Sequence, residues 1–581
     1  MKKRPMTAFI PSELETGRAW GLAVNLYTLR SKRNWGIGDF TDLRDFMRFA
    51  LGLGADFVGL NPLHALHYAD PGSASPYSPT SRFYLNPIYI DVEAVPEFNH
   101  DDARAAALRE RVASTQFGEA LAALRETRLV EYVRVARAKW SALEELYTAF
   151  RQRRGARAAA FRGFCEAGGQ RLERFAVYEA LTERFARERA DAHGWPAWPA
   201  EYQDAQSEAV TKFAARHRRR VDYFKYLQWI ADEQLAAAAT AGAAMSIGLY
   251  RDVAVGVALN SADVWSDRSA YVLGETVGAP PDPLGPLGQN WGLPPPEPSA
   301  MLRDGAASFA ELLRSNMRHA GALRLDHAMA VKRLFRIPQG KAASEGVYVP
   351  YPFDQLLAII DAESVRARCV VVGEDLGNVP EGFRDRMERE RILSYRLLLF
   401  EREIDGAFKP PEAYPRLALA TGTTHDLPTL PGWAVGRDID ARESIELILP
   451  EVATKAHAER RVDASRLLDA LLRHGELDRE SFQRLHGAID ARSEDPTSYA
   501  PLLGAAYRYL AATPARLILI PLDDALCTFD QVNLPGTFNE YPNWRRKLAP
   551  SLDGIAFDTL VETIAAQVRA RVSQGSDSQS A

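Results

Sequence analysis

The chain has little cysteine, no long apolar run and no excess of one charge, and each shortage removes a class of function. Three cysteines in 581 residues, Cys165, Cys369 and Cys527, lie far apart, so neither a disulfide framework nor a sequence-close metal-ligand cluster is visible. Cys369 falls in an apolar stretch and reads as a small core residue. Nothing approaches the roughly 20 apolar residues that a membrane helix needs. The opening MKKRPMTAFIPSELETGRAW has basic residues without an apolar segment behind them, so a cytoplasmic protein is expected. With 71 basic and 76 acidic residues the net charge is −5, which gives no electrostatic reason to expect nucleic acid or an anionic membrane as partner; a neutral ligand fits better. No internal repeat and no second compact domain with its own linker is evident.

What is present is ordinary globular material, 46% hydrophobic and 25% charged, with ample apolar residues for a large core. Length alone predicts three or four domains, but one decorated barrel can absorb several hundred residues. Three apolar runs break off into acid: GALRLDHAM at 321–329, CVVVGEDLG at 369–377 and LALATGTTHDLPT at 417–429. They deliver Asp326, Glu374 and Asp426 at three strand ends. In a parallel (β/α)8 barrel all strand C-termini open on one face, so acids distant in sequence converge on one substrate. A carboxylate after a strand is often only the N-cap of the next helix. A cap, however, requires no arginine two residues before the acid and no histidine after it. Arg324 and Asp326, two apart on a strand, point the same way, so a fixed cation can hold the aspartate ionised.

Taken in order, 20–29 and 56–66 predict the first two strands, with an amphipathic helix at 41–51 between them. A long Pro-, Ser- and Tyr-rich loop follows, of a length that is functional at the top of a barrel. Residues 101–244 show apolar positions at three- and four-residue spacing and predict a helical insertion, and the basic run at 216–220 within it reads as solvated helix surface. Strands are then predicted at 245–252, in each acid-tipped run, at 397–400 and at 516–522, eight in all. Residues 430–510 predict a second, mainly helical insertion, and a last helix lies near 560–572. The tail 573–581 is expected to be disordered. The segment 271–295, rich in Pro and Gly, is expected to be neither regular helix nor sheet, yet it holds Asp282, Gln289, Asn290 and Trp291 and suits a platform for a ring-shaped ligand.

The ordered set WGLAVNLYTLRS, SPYSPTSRF, GLYRDVAVGV, GAPPDPLGPLGQNWGLPP, GALRLDHAM, GEDLG, THDLPTL and NLPGTFNEYPNWRRKL resembles the 4-alpha-glucanotransferases called amylomaltase, or disproportionating enzyme, over most of 20–548. The resemblance implies an alpha-amylase-like (β/α)8 TIM barrel. It implies a retaining transfer of alpha-1,4-glucan to the 4-hydroxyl of another glucan or of glucose, through a covalent glucosyl-enzyme. Carried onto this chain, Asp326 is the nucleophile, Glu374 the acid and then the base, and Asp426 the stabiliser of the distorted sugar. Glu374 must hold a proton near neutrality, and like-charge repulsion from Asp326 and Asp426 is expected to favour this. Arg324, His327 and His425 then surround the reacting sugar, Tyr77 and Ser75 lie beside it, and Asp282, Gln289 and Trp291 line sugar subsites. Maltooligosaccharides and alpha-1,4-glucans are the implied substrates, with no cofactor and no metal.

The chain departs from many relatives after the nucleophile, reading Asp326-His327-Ala328-Met329, and at Leu427-Pro428, which bears on acceptor preference. Longer relatives carry extra N-terminal sequence that is not seen in these 581 residues; if that region binds polymer, a lower affinity for long glucans is expected here. A hydrolase of the same superfamily uses the same acids, and the partition depends on how well a bound sugar excludes water. A glucan-binding protein without catalysis would be expected to have lost at least one of the three acids.

Overall fold

The computed structural model describes residues 6–189, 194–281, 287–556 and 558–577. Eight parallel strands close a barrel: β1 (Ala19–Val24), β2 (Phe57–Leu60), β3 (Gly248–Val253), β4 (Ala322–Leu325), β5 (Val370–Gly373), β6 (Leu393–Leu397), β7 (Ala418–Thr421) and β8 (Leu517–Pro521). Each pairs with its chain neighbours, and β1 closes on β8. The strands are short and buried on both faces, as parallel strands sheathed by helices must be. Phe57, Tyr250, Val370, Val372, Leu393, Tyr395 and Leu519 fill the interior, so the barrel is a packed core and its chemistry is confined to the rim. Just before β4 a side chain is impossible at Gly321, where a Cβ would lie 1.7 Å from the Ile247 carbonyl oxygen. That close approach seats β4 against the start of β3.

The helix Phe40–Gly52 shows why sequence and element agree. Asp39 and Asp42 form a reciprocal capping box, and Phe40, Leu43, Phe46, Met47 and Ala50 make one buried face. The insertion is helical throughout its main length, with helices at Ala103–Ala113, Thr115–Glu126, Tyr132–Phe150, Ala156–Glu188, Glu208–Arg216 and Arg218–Ala241. Within the basic run, Arg218 pairs with Glu173 and Asp222, and Arg220 with Glu144 and Glu183. No helix among the described residues is long and apolar enough to cross a membrane.

Three expectations are corrected. The sixth strand is Leu393–Leu397, and 398–400 is a turn. The polar-looking SYR is strand because Ser394, Tyr395 and Arg396 are buried within the barrel wall, whereas the more apolar Leu398 and Leu399 are buried just beyond it. The segment 271–295 is partly sheet: Glu275–Ala279 and Gln289–Leu293 pair antiparallel and join Arg333–Pro338 and Val347–Pro350 in a four-stranded sheet. Its prolines fall between and after the two strands, and Gly292 sits in an edge strand, where both are tolerated. The last helix, Thr559–Asp577, continues into the stretch expected to be disordered. Adding residues to a formed helix is easy compared with nucleating one. Residues 578–581 lie outside the described residues.

Candidate active site

Register places the first half of the site. Asp252 on β3 is paired with Arg324 on β4, and Leu325 is paired with both Val253 and Gly373. Asp326 and Glu374 are each one residue beyond those partners. Neighbouring strands run about 4.8 Å apart, so the two carboxylates leave the rim side by side.

A chain of polar contacts fixes this half. The Tyr77 hydroxyl donates to Asp252 Oδ2 at 2.6 Å. Arg324 Nη1 reaches both Asp252 oxygens at 2.9 and 2.8 Å and Asp326 Oδ1 at 2.9 Å. Asp326 Oδ2 also accepts from the Val255 N–H at 3.3 Å. Burial alone would lower the Arg324 guanidinium, but Asp252, Tyr77, Asp326 and Glu374 outweigh it and hold it well above its usual range. Burial likewise pushes the Asp252 carboxyl up, against the pull of Arg324.

Glu374 is 7% exposed. Its Oε2 accepts from the His327 N–H at 2.8 Å and its Oε1 from the Leu376 N–H at 2.7 Å. His327 can offer that N–H because it takes a left-handed conformation, φ 45°, that turns the chain sharply at the strand tip. The Glu374 carboxyl is raised to about 7. The leading cause is burial, which Arg324 opposes; like-charge repulsion from Asp326 is secondary, and Asp426 is not among the leading causes. Each oxygen retains a lone pair, so the acid can hold its proton while both backbone bonds stand. Burial lowers the His327 imidazole to about 4, and its ring meets Trp291 edge-on at 5.2 Å.

Loops supply the second half. Beyond β7, Asp426 Oδ1 accepts from Asn533 Nδ2 at 2.7 Å, and its Oδ2 lies 3.3 Å from His425 Nε2. Its side chain is 49% exposed. Burial would raise Asp426, but His425 and Asn533 hold it below the usual carboxylate range, and Asp426 in turn holds His425 above its own. The His425 ring stacks on Tyr77 at 4.8 Å and tilts against Trp544 at 5.2 Å. Tyr77 therefore joins the two halves, its hydroxyl on Asp252 and its face on His425.

Of the residues expected at the site, Asp326, Glu374, Asp426, Arg324, His327, His425 and Tyr77 come together. Trp291 meets them through His327 and donates to Gln289 Oε1 at 2.9 Å; Gln289 itself is exposed. Ser75 lies half-buried two residues before Tyr77. Asp282 lies outside the described residues. Sequence reasoning missed Asp252, Asn533 and Trp544. The apolar run GLY ending in Arg251 and Asp252 has the shape of the other strand tips and offered a signal, whereas Asn533 and Trp544 lie in a loop without periodicity. Among the described residues no group of three His, Cys, Asp or Glu side chains is placed to hold a metal ion.

A family model described as 4-alpha-glucanotransferase matches residues 24–553. The 4-alpha-glucanotransferase of Haemophilus influenzae is 38% identical over 573 residues, covering 97% of this chain and 80% of its own. That of Mycobacterium tuberculosis is 36% identical over 580 residues, covering 97% and 76%. The amylomaltase of Corynebacterium glutamicum superposes with a TM-score of 0.82 at 31% identity, covering 96% of this chain and 75% of that one. The amylomaltase of Streptococcus agalactiae, solved with acarbose, shares the fold at 17% identity and a TM-score of 0.71 over 96% and 99%.

Proposed function

Given that the chain belongs to the 4-alpha-glucanotransferase family and is a transferase acting on alpha-glucans, we propose that the groups at the barrel mouth perform the transfer as a retaining double displacement. Asp326 attacks the anomeric carbon while Glu374 protonates the departing glycosidic oxygen. The leaving glucan takes that proton, and the glucosyl group stays bonded to Asp326. The 4-hydroxyl of the acceptor then attacks the same carbon, its proton passes to Glu374, and Asp326 is released ionised. Asp426, held ionised, faces the positive charge that develops on the ring. Arg324 and the Val255 N–H receive the returning charge on Asp326.

The observation that carries this reading is the pair of adjacent rim carboxylates in opposite circumstances. Glu374 is buried with its carboxyl near 7, whereas Asp326 is bonded to a cation that is always charged. Retention asks for an acid and a nucleophile about 5–5.5 Å apart, and neighbouring strands in register suit that spacing. We assign sugar contacts to Tyr77, His327, His425, Trp291, Gln289 and Ser75, and extend that role to Asp282. Maltooligosaccharides are the donors, with glucose among the acceptors and no cofactor. The molecule is read as one decorated barrel with helical insertions at 101–244 and 430–510, working in the cytoplasm, a setting that three unpaired cysteines suit.

Incubation with maltotriose alone tests the reading. Glucose together with chains longer than the substrate, at constant reducing ends, is expected. Rising reducing ends with only shorter products would mean that water is the acceptor and would overturn it.

A further inference from the structure

Away from the barrel mouth, a second cleft of about 450 Å³ opens between the loop that follows β1 and the first two insertion helices. Its size is that of a small-molecule pocket. Lys32, Arg33, Arg109 and Arg125 line it with a single carboxylate, Glu93, and Phe98, Val112 and Leu121 give it an apolar wall. None of these residues belongs to the catalytic cluster.

The charges are unevenly matched. Arg33 is engaged by three acids, Asp39 at 2.9 Å, Asp42 at 2.7 Å and Asp91 at 2.5 Å. Glu93 accepts from Trp35 Nε1 at 2.9 Å. Lys32, Arg109 and Arg125 have no carboxylate within ion-pair distance among the described residues. Arg125 donates through Nε to the Asn34 carbonyl at 2.6 Å and through Nη2 to the Arg33 carbonyl at 3.1 Å. Arg109 donates through Nη1 alone, to the carbonyls of Phe98 at 2.5 Å and His100 at 2.9 Å. A guanidinium has five N–H donors, so each arginine is fixed in place with donors to spare. Burial, and then the nearness of Arg33, lowers Arg125 against the pull of Glu93. The loop that carries Lys32 and Arg33 is itself braced, because Asp39 and Asp42 cap the helix Phe40–Gly52 while holding Arg33.

We propose that this cleft binds the phosphate group of a small phosphorylated molecule. Lys32, Arg109 and Arg125 meet the phosphate oxygens, and the apolar wall receives the carbon skeleton. A phosphate monoester carries close to two negative charges at neutral pH and several acceptor oxygens, and fixed arginines pair with it through charge-assisted bonds. A neutral sugar would bring no charge to match three cations that share one lining carboxylate, Glu93.

Calorimetry on the full chain at constant ionic strength tests this with inorganic phosphate, a hexose phosphate and the matching free hexose. One-to-one binding of the hexose phosphate, tighter than inorganic phosphate, is expected from the apolar wall; equal binding of the two keeps the site and assigns it to free phosphate. Lys32→Glu, at an exposed side chain, and Arg109→Gln are each expected to weaken phosphate binding by about tenfold or more. Maltotriose disproportionation should be unchanged in both variants. Absence of phosphate binding up to about 10 mM, or binding that survives both substitutions, overturns the proposal.

Discussion

The two halves of the barrel mouth hold carboxylates by different means. Asp326 and Glu374 stand on paired strands one residue past the sheet, with Glu374 almost wholly buried. Asp426 stands on a loop with a half-exposed side chain, held by Asn533 from 107 residues further along the chain. On the strand side burial sets the protonation of Glu374 and raises it. On the loop side a histidine and an amide set that of Asp426 and lower it. Two acids of the same chemistry are thereby driven apart, one to hold a proton near neutrality and one to give it up. Register tolerates little error and long loops tolerate more, so the strand side should be all-or-none and the loop side graded.

Removing the proposed nucleophile is the severest test: Asp326→Asn is expected to cut maltotriose disproportionation on the order of 10⁴-fold or more, since groups that act as a unit fail together. A loss of only tenfold would mean that the nucleophile lies elsewhere. Glu374→Gln should cost about 10²–10⁴-fold, the usual worth of a positioned general acid. In the unsubstituted protein the rate of the cleavage step should fall as pH rises through about 7, when Glu374 loses its proton, and the substitution should erase that limb of the profile. The same shift has a cost in stability. The folded-state carboxyl lies above its unfolded value, so its favourable contribution is complete below the unfolded pKa and disappears as pH rises through about 7. Glu374→Gln should therefore stabilise the fold at pH 9 by roughly 3 kcal/mol, as an upper figure, with no comparable gain at pH 4 in denaturant unfolding.

The loop side calls for smaller effects. Asn533→Ala removes a hydrogen bond to a charged group, worth about 1.5–3 kcal/mol, and should slow transfer roughly 10- to 100-fold. Its circular dichroism should stay native. Smaller still is the effect expected from the four-stranded sheet beside the mouth, where Trp291→Ala removes an edge contact with His327 worth about 0.5–1.5 kcal/mol and should raise KM for maltotriose a few-fold with kcat little changed. If Asn533→Ala cost as much as Glu374→Gln, the division between strand and loop would collapse.

The strand-borne residues were legible because an apolar run that ends in charge has few readings. Arg324, Asp326 and Glu374 announce themselves within a dozen residues each, and the capped helix Phe40–Gly52 was legible for a similar local reason. The sixth strand was misplaced where burial reverses appearance. Arg396 is buried in the barrel wall beside Asp375 at 3.3 Å and Glu401 at 3.4 Å, so a polar triplet is strand whereas Leu398 and Leu399 are turn. The sheet around Trp291 was hidden by prolines that lie outside its strands. Asp252 was within reach, having the same shape as its neighbours, and was passed over because its partner is on another strand.

The sequence alone determined the alternation of strand and helix, the acids at the strand tips, the helical insertions and the likeness to a glucanotransferase family, since each rests on local periodicity or a short motif. Tertiary structure decided what those acids are. Only the closed barrel brings Arg324 between Asp252 and Asp326, buries Glu374 until its carboxyl rises to about 7, and draws Asn533 and Trp544 back to Asp426 and His425. A proton's affinity for a side chain depends on solvent and on charges within a few ångströms, and no stretch of chain carries that information until it has folded.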